Sequence, residues 1–143
     1  MKGMEANTDK EDIVLDVHKG EGDIIYLTVA GKITNDRLYA FVGWTEKVKK
    51  LVRETAEESS KPVLILTNAT GVIHFESKSI VPLRELLDYN KQYKVKSAIV
   101  GANNMTRMLL EAVISFTERT NVKLFSTEKE ALVWLREVEG PAA

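Results

Sequence analysis

Three short apolar runs, "KPVLILTNA", "VKSAIVGA" and "NVKLFS", each precede a stretch of helical periodicity, and this alternation constrains the fold more than any other feature of the chain. Such brief, continuous apolar runs are the pattern of strands covered on both faces. Alternating strands and helices place successive strands parallel, joined by right-handed crossovers. The chain therefore reads as α/β from about residue 33 onward.

Ahead of these runs, "DIVLDVHKGEGDIIYLTVAGKI" holds two β-rich segments around Gly20 and Gly22, a hairpin signal. In the second segment Ile25, Leu27 and Val29 alternate with Tyr26, Thr28 and Ala30, so both faces are largely apolar and the strand reads as an inner one. Helical spacing follows, with Leu38, Phe41, Val42, Val48 and Val52 on one face, Thr34 or Asn35 as N-cap and Asp36 in the first turn. Trp44 lies on the shoulder of that face and fits either flanking core or the contact of a homodimer.

A second helix runs through Leu83, Leu86 and Leu87 to about Tyr93. The third carries Met105, Met108, Leu109, Ala112, Val113 and Phe116 as one stripe, expected to be core. The last opens with Thr127 and Glu130 as a capping box and is expected to bury Ala131, Trp134, Leu135 and Val138, with Trp134 among the most buried side chains. The order is β-β-α-β-α-β-α-β-α: a mostly parallel five-stranded sheet flanked by helices. Residues 12–137 form a single domain in this reading, between a polar N-terminal tail (1–11) and a C-terminal tail (138–143).

Composition narrows the function classes. A formal charge of −1 and a pI near 6.2 offer no general attraction for nucleic acid or acidic membranes. The absence of cysteine removes thiol nucleophiles, thiolate metal sites and disulfides, and fits a reducing cytoplasm. The polar start "MKGMEANTDKED" cannot serve as a signal peptide, and no apolar run approaches the ~20 residues of a spanning helix. A cytoplasmic protein is the expectation.

Enzyme templates find little to attach to. No glycine-rich phosphate loop follows a strand, and there is no G-x-S-x-G elbow. His18 and His74 are far apart and lack metal-ligand spacing, so neither a metal nor a cofactor is expected.

The segment "ATGVIHFESKSIVPL" is better placed, because ligands of open α/β sheets bind beyond the carboxyl ends of the strands. The next parallel strand delivers "GANNMTR" to the same edge, where Asn103 or Asn104 can cap a helix. Thr70, His74, Phe75, Glu76, Lys78, Asn103, Asn104 and Arg107 thus form a candidate binding rim with two helix N-termini pointing at it. Arg107 is disfavoured by the helix dipole there, and an internal acid such as Glu76 would relieve it. Pro82 makes Ser79 a better N-cap than Ser77, since the proline then falls at the third helical position, where no amide donor is needed.

The order of elements, "GKIT" before the first helix, "VLILTNATGV" on the central strand and "FSTEKEALVWL" at the end resemble STAS domains, and more specifically the SpoIIAA-like/STAS-SEC14-like branch of small bacterial proteins. The resemblance covers about residues 12–137. It implies a partner kinase that phosphorylates a Ser or Thr at the start of the helix after the central strand, within a motif of an acid, one or two hydroxyl residues and glycine. Here "FESKS" sets Glu76 at the acid and Ser77 at the first hydroxyl, with Lys78 at the usual phosphoacceptor and Ser79 at the glycine; a one-residue shift makes Ser79 the acceptor.

Two readings follow. The first is a non-catalytic regulatory module with a protein partner such as a kinase-like regulator, switched at Ser79 or Ser77. The second, implied by the SEC14-like likeness, is a carrier or sensor of a small apolar or anionic ligand at the same rim, with Val72, Ile73 and Phe75 as walls. Under the first reading Phe75 is at least partly exposed and the Ser79 hydroxyl lies near solvent. An enzyme resting on His74 and Glu76 stands third.

Overall fold

The structure, a computed structural model, describes residues 13–101, 103–117 and 121–137. Both proposed tails (1–11 and 138–143), Val138 and the Phe116 side chain lie outside the described residues. Strand β1 (Ile13–Lys19) turns into β2 (Ile25–Ile33), followed by helix α1 (Leu38–Glu58), β3 (Val63–Asn68), β4 (Val72–Phe75), α2 (Ile80–Asn90), β5 (Val95–Val100), α3 (Asn104–Thr117), β6 (Val122–Phe125) and α4 (Glu128–Arg136). The sheet runs β1-β2-β3-β5-β6, with β4 also on β2. Among the described residues only the β1–β2 pairing is antiparallel. As expected, β2 is an inner strand.

Among the described residues the sheet has six strands, not five. Residues 72–75, read as part of a loop, form β4 parallel to the end of β2 (Gly31↔Val72, Lys32↔His74, Ile33↔Phe75). The cause lies in β2: its pairing with β3 ends at Thr28↔Asn68, leaving the last residues of a nine-residue strand with ladder groups to satisfy. The chain after β3 continues in the same direction through Gly71, whose carbonyl accepts from the Gly31 N–H at 2.8 Å, and supplies them.

Helices α1, α2 and α3 pack on one face of the sheet around Ile25, Leu27, Phe41, Val48, Val52 and Ile65. On the other face α4 covers Ile24, Leu66, Ala98 and Val100 with Ala131 and Leu135. Strand β5 is buried at every residue, including Lys96 and Ser97.

Three helical faces differ from the sequence pattern. On α1, Trp44 is core (6 % exposed) and its indole N–H donates to the Asp16 carbonyl at 3.0 Å, while Val42 is exposed. This answers the Trp44 alternative in favour of core. On α3 the buried residues are Thr106, Leu110 and Val113, whereas Met105 and Met108 are 82 % and 70 % exposed and Ala112 faces out. Of the expected stripe, Val113 is buried and Leu109 half-buried. On α4, Ala131 and Leu135 are buried, but Trp134 is only half-buried. Its ring lies at the flank of the sheet against Phe125 (5.5 Å) and under the ammonium of the buried Lys96 (4.5 Å). Lys96 also donates to the carbonyls of Trp134 (2.5 Å) and Glu137 (3.3 Å), closing the end of the helix.

Candidate functional site

The carboxyl ends of β3, β4 and β5 and the starts of α1, α2 and α3 meet at one edge. Asn103 fastens it. Its side-chain oxygen accepts from the Thr106 N–H (2.8 Å), the N-cap bond of α3, while its amide nitrogen donates to the carbonyls of Val72 (3.3 Å) and Ile73 (3.2 Å). One residue thus caps the helix and ties it to β4. Of the two expected caps, Asn103 is the one that serves; Asn104 begins the helix and is exposed.

A second clasp joins the starts of α1 and α2. The Asn35 N–H donates to Glu76 Oε1 at 2.6 Å, and Asn35 Oδ1 accepts from the Lys78 N–H at 3.1 Å. Neither Thr34 nor Asn35 caps α1 through its side chain, because a 3-10 turn (Asn35–Arg37) precedes the helix. The Thr34 hydroxyl donates to Asp36 instead, and this bond is the main reason the Asp36 carboxyl is held below its ordinary value.

Ser79 departs most from expectation. It stands just before α2, with Pro82 at the third helical position as required. A 3-10 turn over Ser77–Ser79 brings helical geometry forward, however, and Ser79 is already helical (φ −76°, ψ −13°), whereas a capping residue needs extended backbone. Its side chain makes no cap bond; the residue is 0 % exposed, and its hydroxyl has no hydrogen-bond partner among the described residues. The expectation of a solvent-facing Ser79 hydroxyl is therefore corrected. Ser77 and Lys78 are exposed.

The remaining rim residues take distinct places. Thr70 is exposed, and both its N–H (3.0 Å) and hydroxyl (2.6 Å) donate to Asn68 Oδ1. Gly101 (φ +87°) passes so close that a Cβ there would fall 2.7 Å from the Thr70 Cα. His74 is exposed with Nε2 3.6 Å from Glu76 Oε2. Arg107 reaches Glu111 at 4.0 Å, one helical turn on, so the internal acid is Glu111 rather than Glu76. Phe75 is half-buried, edge-on to Phe41 at 5.5 Å, in line with the expected partial exposure.

Strand β4 divides its apolar side chains between two environments. Ile73 is exposed, as are Tyr39, Val81, Met105 and Met108 in the opening turns of α1, α2 and α3. Val72 and Phe75 instead line a cavity of about 60 Å³ between the sheet and the helices, with Phe41, Leu86 and Leu110. The three-walled ligand site expected at the rim is thereby corrected, because Ile73 faces away from the other two. Among the described residues no group of three or more His, Asp or Glu side chains could hold a metal ion. The other histidine, His18, pairs with Asp16 at 2.8 Å on β1.

The fold has counterparts among solved structures. A Shewanella loihica protein with a SpoIIAA-like fold matches at a TM-score of 0.56 and 20% identity, over 86% of this chain and 93% of its own. The chain has the STAS-domain fold. An anti-sigma factor antagonist from Mycobacterium paratuberculosis matches at 0.56 and 16% identity, over 87% of this chain and 95% of its own. A candidate anti-sigma factor antagonist from Thermotoga maritima matches this STAS fold at 0.58 and 18% identity, over 86% and 95%. No protein-family model matches the sequence, and no curated protein matches it. Among the described residues no helix is long and apolar enough to cross a membrane.

Sequence reasoning missed the Asn35–Glu76 clasp, β4 and the cavity. Only the first left a trace, in "ITND" and "FES" as polar segments at two helix starts.

Proposed function

We propose that this chain is a non-catalytic protein-interaction module, of the kind its anti-sigma factor antagonist neighbours suggest, acting in the cytoplasm through the rim. The observation that carries the reading is the exposure of Ile73, Val81, Met105 and Met108 around an edge whose backbone Asn103 and Asn35 hold in place. Exposed apolar side chains gathered at one edge suit a protein partner, and methionine adapts well to such surfaces. His74 and Glu76 make a poor acid–base pair, since Glu76 already accepts from Asn35.

Ser77 is the better phosphoacceptor for a kinase-like regulator. It is exposed and follows Glu76, and the burial of Ser79 suits the glycine position of the motif. Phosphorylation would add about −1.5 to −2 charge on the rim. An Ile73→Glu/Met105→Glu variant should melt as the parent does, yet lose a partner that the parent retains on affinity purification. Undiminished capture, or a turnover abolished by His74→Ala, would overturn the reading.

A further inference from the structure

We infer that the outer edge of β1 is an interface with a second copy of this chain, the two strands pairing antiparallel about a two-fold axis at Val17. This inference is independent of the interaction reading, which rests on the carboxyl ends of other strands. Strand β1 ends the sheet and pairs with β2 on one side. The hydrogen bonds at both ends of this pair show which of its backbone groups face outward.

The Gly20 N–H donates to the Ile24 carbonyl at 2.8 Å, so these two form a hydrogen-bonded pair of the antiparallel ladder. At the far end the Gly31 N–H is turned toward Gly71, away from its β1 partner Ile13. Both observations set the same alternation. Val14, Asp16 and His18 bond to β2, while Ile13, Leu15, Val17 and Lys19 direct N–H and C=O outward. Among the described residues nothing bonds to the outward groups of Leu15 and Val17. The Trp44 indole reaches the Asp16 carbonyl, which belongs to the β2 side, and so does not occupy the outward row.

Edge strands that stay single are commonly short, bulged, or guarded by proline or lysine. Strand β1 has seven residues in unbroken register and no proline. Its one lysine, Lys19, is drawn onto Glu58 of α1 at 3.1 Å. Leu15 and Val17 pack on the core yet remain half-buried.

Charge selects the occupant and the register. Asp16 and His18 are exposed together on the other face of the strand. In an antiparallel pair of β1 strands, an axis at Asp16 opposes that carboxylate to its own copy, and an axis at His18 does the same for the imidazole. An axis at Leu15 sets Asp16 against Val14. The axis at Val17 sets Asp16 opposite His18 of the second copy, and does so twice, because a two-fold contact repeats every pair. The same axis makes the two Val17 residues exchange both of their outward hydrogen bonds.

Sedimentation equilibrium of the whole chain tests the interface, and the parent should show a monomer–dimer equilibrium. Val17→Pro removes an outward N–H and no bond to β2, a position where edge strands accept proline. It should raise the dimer dissociation constant about tenfold or more, since symmetry deletes two hydrogen bonds at once. His18→Asp, an exposed change that serves if the proline variant does not fold, sets like charges opposite each other and should also weaken the dimer. Exchanging the pair, Asp16→His with His18→Asp, should restore the parental value. A parent that stays monomeric up to millimolar protein, or a dimer that the folded variants leave intact, would overturn the interface. Failure of the exchanged pair to recover would overturn the register at Val17.

Discussion

Asn35 and Glu76, 41 residues apart, are joined by a 2.6 Å hydrogen bond from the backbone of one to the carboxylate of the other. It satisfies an amide at the turn before α1 with a charge supplied from the turn before α2. Bonds to a charged acceptor are the stronger kind. Glu76→Ala should therefore cost about 1–2 kcal/mol in denaturant unfolding. A cost under ~0.3 kcal/mol would show that the two helix starts are held without it.

The two serines should respond oppositely to charge. Ser79→Asp places a carboxylate where the hydroxyl is fully buried and unpartnered, and should cost 3 kcal/mol or more. Ser77→Asp, on the exposed side of the same turn, should change stability by less than ~0.5 kcal/mol. Ser79→Ala should be neutral or mildly stabilising, because the hydroxyl it removes makes no bond to a described residue. Urea titrations of the three variants check the set.

Tryptophan truncations rank the two faces of the sheet. Trp44→Ala removes a buried ring and its bond to Asp16 and should cost about 3–5 kcal/mol. Trp134→Ala removes a half-buried ring and should cost about 1–3 kcal/mol. The reverse order in thermal or denaturant unfolding would contradict the burial described here.

Asp36 sets a pH dependence of known sign. Its folded carboxyl is held below the ordinary value chiefly by the Thr34 hydroxyl, so its contribution to stability is present above the ordinary carboxylate range. That contribution is lost as the pH falls through the lowered folded value. Thr34→Val should move the Asp36 titration, read by carboxyl NMR, back up toward the ordinary value. An unmoved titration would rule the hydroxyl out as the cause.

Much of the architecture was legible because strand–helix alternation is carried by many residues at once. The hairpin, the parallel strands β3, β5 and β6 and all four helices follow from periodicity. Strand β4 was not legible: "VIHF" is four residues long, and its reason to pair is the overhang of a strand that ends with Gly31, Lys32 and Ile33, far earlier in the chain. The rotation of α3 was legible only in part. Met105, Met108 and Ala112 of the expected stripe face out, while Val113 is buried as expected beside Thr106 and Leu110. On α4 the stripe was right but the depth of Trp134 was not, since nothing in "VKSAIV" announces that Lys96 is buried beside it. At the candidate rim the residue types were readable and their roles only partly so. Ser79 reads as a cap until the turn before it supplies helical geometry early.

The overhang of β2 also divides the molecule by how readily its parts come loose. Strand β4 is hydrogen-bonded in the sheet to Gly31, Lys32 and Ile33 alone, whereas β5 lies between two neighbours and is buried along its whole length. Opening that short ladder together with the two Asn103 bonds to Val72 and Ile73 frees β4 while the central strands stay zipped. Strand β4 should accordingly open as a separate local unit, its amides exchanging with solvent before those of β5.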